Sequence, residues 1–435
     1  MEVNATRICE LLVGLHDVTV LGVEDVPDRP VRVHVESRLD QGWCRACGCR
    51  ARVKDRDPVQ LVDLPCFGRR VELVWRKVRW CCVEPACEAG SWTIIDDRIA
   101  PSRAVLTDRA ARWATRQVGL RGRTVREVAD ELGCDWHTVN DAVVAYGEAL
   151  LDADEERVGP VDALGLDETL FCRRGPRHLK EWCTSIVDVG GPDRPAKLID
   201  IVAGRSAAGA CEWLDDQPQV WRGQIRYGVL DLSGPYRKVF DDALDHVTQI
   251  ADPFHVIKHA NAKLDECRRR VQNETLGHRG RKDDPLYRAR RLLTKAHERL
   301  DESGDAKLAG LLEAGDPRGE VRMAWHAKEV IRSIYDLDDP DLARTFVDEL
   351  ADDLQDDSCP PEVHSLGRTL RRWLDHIVAW HEARATNGPT EAMNNLIKRI
   401  KRIGFGFRRL RHYRVRALLY AGRPNWDLLA TITPR

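Results

Sequence analysis

Cys44 and Cys47 are separated by two residues and followed by Gly48, and after 34 intervening positions Cys82 and Cys87 form a second pair with four residues between them. Two such turn-borne pairs supply four thiolates to one tetrahedral ion, with Zn–S near ~2.3 Å, and a closed four-sulfur shell makes that ion structural rather than catalytic. On spacing alone Cys81 competes with Cys82, and Cys49 or Cys66 could substitute. The plain alternative is a set of unconnected thiols. The other seven cysteines, Cys9, Cys134, Cys172, Cys183, Cys211, Cys267 and Cys359, are scattered and read as core thiols.

A second chemistry is suggested by three acids on separate elements. Cleaving a phosphodiester by a two-metal route requires carboxylates that clamp two Mg²⁺ roughly 3.5–4 Å apart. Asp167 lies between Leu166 and Glu168 in an apolar strand, and Asp231 ends the strand YGVLDLS before Ser233-Gly234-Pro235. Taken singly, either is what many strands carry at their ends. Glu391 opens a sharply partitioned helix: Met393, Leu396, Ile397 and Ile400 form its apolar stripe, while Glu391, Asn395, Lys398 and Arg402 share the other face. An ordinary solvated face would show the same pattern.

Two features point to nucleic acid. TVREVADELGCDWHTVNDAV has the form of a helix-turn-helix, with Val125, Val128, Ala129 and Leu132 at helical spacing before Gly133, Asp135 as the next N-cap, and Val139 and Val143 as the buried side. Trp136, His137 and Asn140 are expected off that side, able to enter a major groove, with Arg121, Arg123 and Arg126 placed to hold phosphates. A net charge of −2 excludes a uniformly basic surface, yet the charges are segregated. Ten acids and one Arg occupy 336–357, whereas 393–416 holds nine Lys or Arg and no acid. Lys398, Lys401, Arg402, Arg408 and Arg409 of that block are the expected phosphate contacts.

These residues need scaffolds. The 435 positions allow about three domains. Residues 1–103 read as a β-rich module of short strands, including VRVHVESRL and VELVWRKVRW, that carries the cysteines; 104–157 read as the helix-turn-helix. From 158 to 253, three strands in succession followed by strand–helix alternation predict a mixed sheet with helices packed on it. Residues 254–384 read as an all-helical insert, and 385–435 as the helix of the third acid with a basic C-terminal segment. No apolar run approaches the ~20 residues of a membrane span, and MEVNATRICELLVGLHDV lacks a secretory pattern. A cytoplasmic, nucleoid-associated protein is expected.

The knuckles, the helix-turn-helix, LGLDE, VLDLSGPYRKVF, ADPFHVIKHAN and TNGPTEAMNNLIKRIKRIGFGFRRLRHYRVRALLY, in that order over nearly the whole chain, resemble the ISL-three family of bacterial insertion-sequence transposases of DDE type. The resemblance implies an α/β multidomain protein whose RNase H-like catalytic domain is interrupted by the helical insert. Asp167, Asp231 and Glu391 would be its three acids, holding catalytic Mg²⁺ or Mn²⁺, with Zn²⁺ structural in the cysteine module. Ala392 stands where the family commonly has Gly. Asp252 and His255 match a motif near the active site, as accessory catalytic groups or as braces. The implied reaction is cleavage at the element's ends, followed by transfer of the freed 3′-OH into target DNA. The implied partners are double-stranded DNA, both terminal inverted repeats and target, and a second copy in a homodimer. Two rivals stand beside it: a zinc and helix-turn-helix regulator without catalysis, and an RNase H-like nuclease without strand transfer.

Overall fold

A computed structural model describes residues 4–15, 18–38, 42–191 and 194–434. The chain divides into two compact units, residues 1–157 with 396–435, and residues 158–395.

In the first unit, helix α1 (Ala5–Val13) precedes β1 (Val18–Glu24), β2 (Val31–Ser37), β3 (Gly42–Trp43), β4 (Arg50–Cys66), β5 (Arg69–Cys82) and β6 (Ser91–Thr93). They form one sheet in the order β1-β2-β5-β4-β3, with β6 also on β5. The strands were expected to be short, but β4 and β5 run 17 and 14 residues as one antiparallel hairpin. Phe67 and Gly68, both at positive φ, turn that hairpin within two residues. Alternation along β5 buries Val71, Leu73 and Trp75 with Val35, Leu61 and Ile99, and the Trp75 indole N–H is met by Ser37 Oγ at 3.0 Å.

Three helices follow: α2 (Asp108–Gly119), α3 (Val125–Leu132) and α4 (Trp136–Ala153). A capping box between Thr124 and Glu127 starts α3, and Gly133 in the left-handed region ends it. Val125, Val128, Ala129, Leu132, Val139 and Val143 are all buried, as the periodicity requires. Asp135 occupies the N-cap position of α4 but makes no side-chain cap bond.

The second unit contains β7 (Ala163–Arg174), β8 (Leu179–Asp188), β9 (Lys197–Ala203), α5 (Ala207–Asp215), α6 (Gln219–Arg222), β10 (Tyr227–Leu230), α7 (Gly234–Ala243) and β11 (Thr248–Ala251). Their sheet runs β11-β10-β7-β8-β9. β7, β8 and β9 are antiparallel neighbours, while β10 lies parallel to β7 and β11 parallel to β10. This is the mixed sheet the strand pattern predicts. Leu164, Leu166, Ile186, Tyr236 and Phe240 are among the core side chains fully out of solvent.

The stretch expected to be all-helical folds as α8 (Pro253–Leu276), α9 (Pro285–Thr294), α10 (Glu302–Gly315), α11 (Glu320–Ser333), α12 (Pro340–Asp353) and α13 (Pro361–Ala383), with short 3₁₀ turns between. Arg270 of α8 ties to Glu320 of α11 and to Glu362 of α13. The acidic stretch is partly neutralised by α13, where Arg371 pairs with Asp348 and Asp352. Then come α14 (Gly388–Ile403), within which the boundary between the units falls, and α15 (Leu410–Ala421) of the first unit. Val415 and Leu419 of α15 lie against Gly147 of α4, where a Cβ would come within 2.7 Å. Among the described residues, no helix is long and apolar enough to cross a membrane.

Candidate active site

Parallel pairing sets Val229 of β10 opposite Gly165 of β7. Asp167 stands two residues further along β7, and Asp231 lies just past the end of β10, where the negative charge of Asp167 acts on it. Asp167 is held from two directions. Its Oδ1 accepts from the Glu168 N–H at 2.7 Å, and its Oδ2 accepts from Asn394 Nδ2 at 2.6 Å. Asn394 Oδ1 in turn accepts from Ser185 Oγ at 2.8 Å and Thr169 Oγ1 at 3.1 Å, which orients the amide so that its NH₂ faces the carboxylate.

Glu391 sits in the first turn of α14, and its N–H donates to the Asn387 carbonyl. The start of this helix is packed directly on β7, since a Cβ at Gly165 would lie 2.1 Å from Thr390 Oγ1. Buried Asp252 caps α8 and accepts from the His255 N–H, from His255 Nδ1 at 2.9 Å and from the Asn387 N–H at 2.8 Å. His255 Nε2 lies 3.5 Å from Glu391 Oε1. Asp252 and His255 therefore connect the end of β11 to the helix that carries Glu391.

Burial, and then the negative charge of Asp167, pushes the Asp231 carboxyl up to about 6. Glu168 is raised for the same two reasons. The Asp252 hydrogen bond raises His255. Asp231 Oδ1 is buried with no hydrogen-bond partner in the protein. An orphaned carboxylate oxygen beside a second carboxylate is a donor set that fits a divalent cation. Among the described residues, however, the three acids do not form a group with ligand atoms within 4.8 Å of one another.

The transposase family model known as ISL3, of the DDE type, matches residues 164–417, more than half of the chain. The chain belongs to the ISL3 transposase family. The matched segment spans all three acids, and membership makes the protein an enzyme acting on DNA. It is 26% identical over 413 residues to the transposase for insertion sequence element IS1001 of Bordetella parapertussis, covering 92% of this chain and 95% of that one. It is 28% identical over 293 residues to the transposase for IS1557 of Mycobacterium tuberculosis, 63% of each chain. A solved Drosophila P element transposase strand transfer complex aligns with 75% of this chain and 94% of that one at TM-score 0.40 and 11% identity, a likeness too loose to assign the fold.

In this ISL3-family chain the cysteine module precedes the matched segment. The sulfurs of Cys44, Cys47, Cys82 and Cys87 all lie within 4.8 Å of one another, with Cys44 Sγ 3.6 Å from Cys87 Sγ and Cys47 Sγ 3.5 Å from Cys82 Sγ. Cys82 rather than Cys81 faces the cluster, and Cys49 and Cys66 stand outside it. Backbone N–H groups of Cys47 and Ala46 hold the Cys44 thiol down at about 7, favouring the thiolate. Four sulfurs so arranged fit a structural zinc ion. The scattered cysteines need correction: Cys183 and Cys267 are buried, but Cys9, Cys134, Cys172, Cys211 and Cys359 are only half-buried, Cys134 and Cys359 lying in connections between helices.

The expected DNA contacts are spread more unevenly. Arg121, Trp136, His137, Lys398, Arg402, Arg408 and Arg409 are exposed and Lys401 is half-buried. Arg123 is paired with Glu131 at 2.6 Å and Arg126 with Asp130 at 3.0 Å, so each already has an anion. Asn140, expected off the buried side of α4, is 5% exposed and donates to Asp141, because it follows Val139 on the margin of the packed face. The polar partner of the acids is likewise Asn394, buried, rather than the exposed Asn395 that shares the Glu391 face by periodicity. Asn394, Ser185 and Thr169 escaped sequence reading; the signal was the i, i+3 step from Glu391 to an amide beside the apolar stripe.

Proposed function

We propose that this enzyme cleaves DNA at the ends of its element and joins the freed 3′-OH to target DNA, through Asp167, Asp231 and Glu391 on an RNase H-like sheet. The observation that carries the reading is that Asp231, just past the end of β10, feels the charge of Asp167 on the neighbouring parallel strand β7, with Asn394 of the Glu391 helix bonded to Asp167. The sheet order, three antiparallel strands followed by two parallel ones, supports the RNase H-like assignment.

Divalent ions held by the three carboxylates, Mg²⁺ or Mn²⁺, would stabilise charge on the attacking and leaving oxygens of an in-line displacement. The protein's own groups have separable tasks. Asn394, Ser185 and Thr169 orient Asp167, and Asp252 with His255 braces Glu391. Water and a 3′-OH are alternative nucleophiles at one site, so hydrolysis and strand transfer need no covalent protein–DNA intermediate. The zinc module, the helix-turn-helix and the basic segment with Lys398, Lys401 and Arg402 would position double-stranded DNA, with a homodimer matching the two inverted ends.

The test uses duplexes taken from the DNA flanking its gene. Asp167→Ala, Asp231→Ala and Glu391→Ala should each abolish Mg²⁺-dependent nicking while end binding persists. Full cleavage by D167A or E391A overturns the assignment. Pre-cleaved ends with a free 3′-OH, left unjoined by an enzyme that still nicks, would reduce the activity to hydrolysis.

A further inference from the structure

Arg416 of α15 is 3% exposed, and its Nε and Nη2 have no hydrogen-bond partner. Burial lowers the guanidinium to about 10, so it stays charged at neutral pH. A buried cation without an anion is costly unless something supplies the charge. It lines a pocket of about 590 Å³ within the first unit. The pocket's other walls are the first turn of α4, the start of α3 and the loop from Gly404 to Arg409.

Those walls are cationic and aromatic. Arg408 and Arg409 line the space with Trp136 and Phe407, as does Arg126, already paired with Asp130, and the Arg416 guanidinium stands 5.7 Å from the Phe407 ring. Asp141 is the one acid in the lining, and it already accepts from Asn140. The amides of the first turn of α4 receive no side-chain cap from Asp135. Uncapped amides at a helix start are donors that an anion can accept from. Phe405, in the same loop and 94% exposed, offers a flat face beside the opening.

We propose that this pocket seats a backbone phosphate of bound DNA, with Arg416 as its buried partner. The helix-turn-helix and the basic loop would then grip one phosphodiester together, fixing the register of α4 in the groove. The inference rests on DNA being the partner, and is independent of the three acids.

Full-length protein is titrated without metal against short fluorescent duplexes from the DNA flanking its gene, at several salt concentrations. Arg416→Met should weaken binding about tenfold, with a salt slope lower by about one phosphate contact, and Arg416→Lys should weaken it less and keep most of the slope. One neutral methylphosphonate should weaken wild type by the same factor while leaving R416M unchanged, a comparison made on the DNA that holds even if R416M is less stable. Equal binding by wild type and R416M, or no backbone position at which the two respond differently, overturns the proposal. So does a melting shift from inorganic phosphate that R416M loses while its DNA binding is intact, which would assign the pocket to the free ion. Nicking by D167A with binding still lost in R416M would overturn the proposed catalytic acids and leave this inference standing.

Discussion

Asn394 Nδ2 lies 2.6 Å from Asp167 Oδ2, joining a helix and a strand that are separated by more than two hundred positions in the chain. Ser185 and Thr169 occupy the other end of the same amide, so the contact has one orientation. The Asp167 carboxylate is thereby held in one orientation, the preorganisation that the proposed metal-binding role would use.

Removing that amide should slow catalysis more than it weakens binding. Asn394→Ala is expected to reduce single-turnover cleavage about 10- to 100-fold with little change in DNA affinity. It should also destabilise the fold by roughly 1–3 kcal/mol, because the buried Thr169 hydroxyl loses its acceptor while Ser185 keeps the Asp167 carbonyl. Asn394→Asp should be at least as slow, since it sets a second carboxylate against Asp167. Wild-type cleavage by N394A would show that the contact is structural only.

Asp231 should give the metal-free protein a pH signature. Its folded-state carboxyl is raised to about 6, above the ordinary carboxylate value, so the ionised form costs stability above that pH. The cost fades as pH falls from about 6 toward ~4, where both folded and unfolded chains hold the proton. Asp231→Asn is therefore expected to raise stability at neutral pH by roughly 1–3 kcal/mol and to bring no gain near pH ~4. Thermal melts across that range check this. Mg²⁺ should raise the melting temperature of wild type and not of D231N.

Zinc content separates the neighbouring cysteines. Cys82→Ser should lose the metal and Cys81→Ser should keep it, because Cys82 alone of the two joins Cys44, Cys47 and Cys87. Chelation should loosen the β3 and β6 end of the six-stranded sheet, read as faster amide exchange around Trp43 and Trp92. Equal zinc in both variants would contradict this ligand set.

Gly165 tests the packing of α14 on β7. Gly165→Ala places a methyl 2.1 Å from Thr390 Oγ1 and is expected to cost roughly 1–3 kcal/mol, with cleavage impaired because Glu391 follows Thr390. Thr390→Ala removes that oxygen and leaves Thr390 Cβ at 3.3 Å, so the double variant should recover much of both losses. No recovery would place the role of Gly165 elsewhere.

Much of this was legible in the sequence because it is local. The α3–α4 helical pair is written in the Thr124–Glu127 box, in Gly133 and in the spacing of Val125, Val128, Ala129 and Leu132. All five strands of the second sheet stand where apolar runs predict them. Each such signal depends on backbone preference and residue period within a few turns.

Other outcomes required the folded chain. Asn394 and Asn395 are a hundred degrees apart on one helix, and periodicity cannot say which of them the sheet will meet. Cys81 and Cys82 point to opposite faces of β5, and only the approach of Cys44 and Cys47 chooses between them. Arg416 counts as one more cation in a basic block until α15 packs and removes it from water with its Nε and Nη2 lacking a hydrogen-bond acceptor among the described residues. Composition and spacing determined which groups this protein could use; which of them meet was decided by long-range packing, since contacts between distant segments leave no period in the chain.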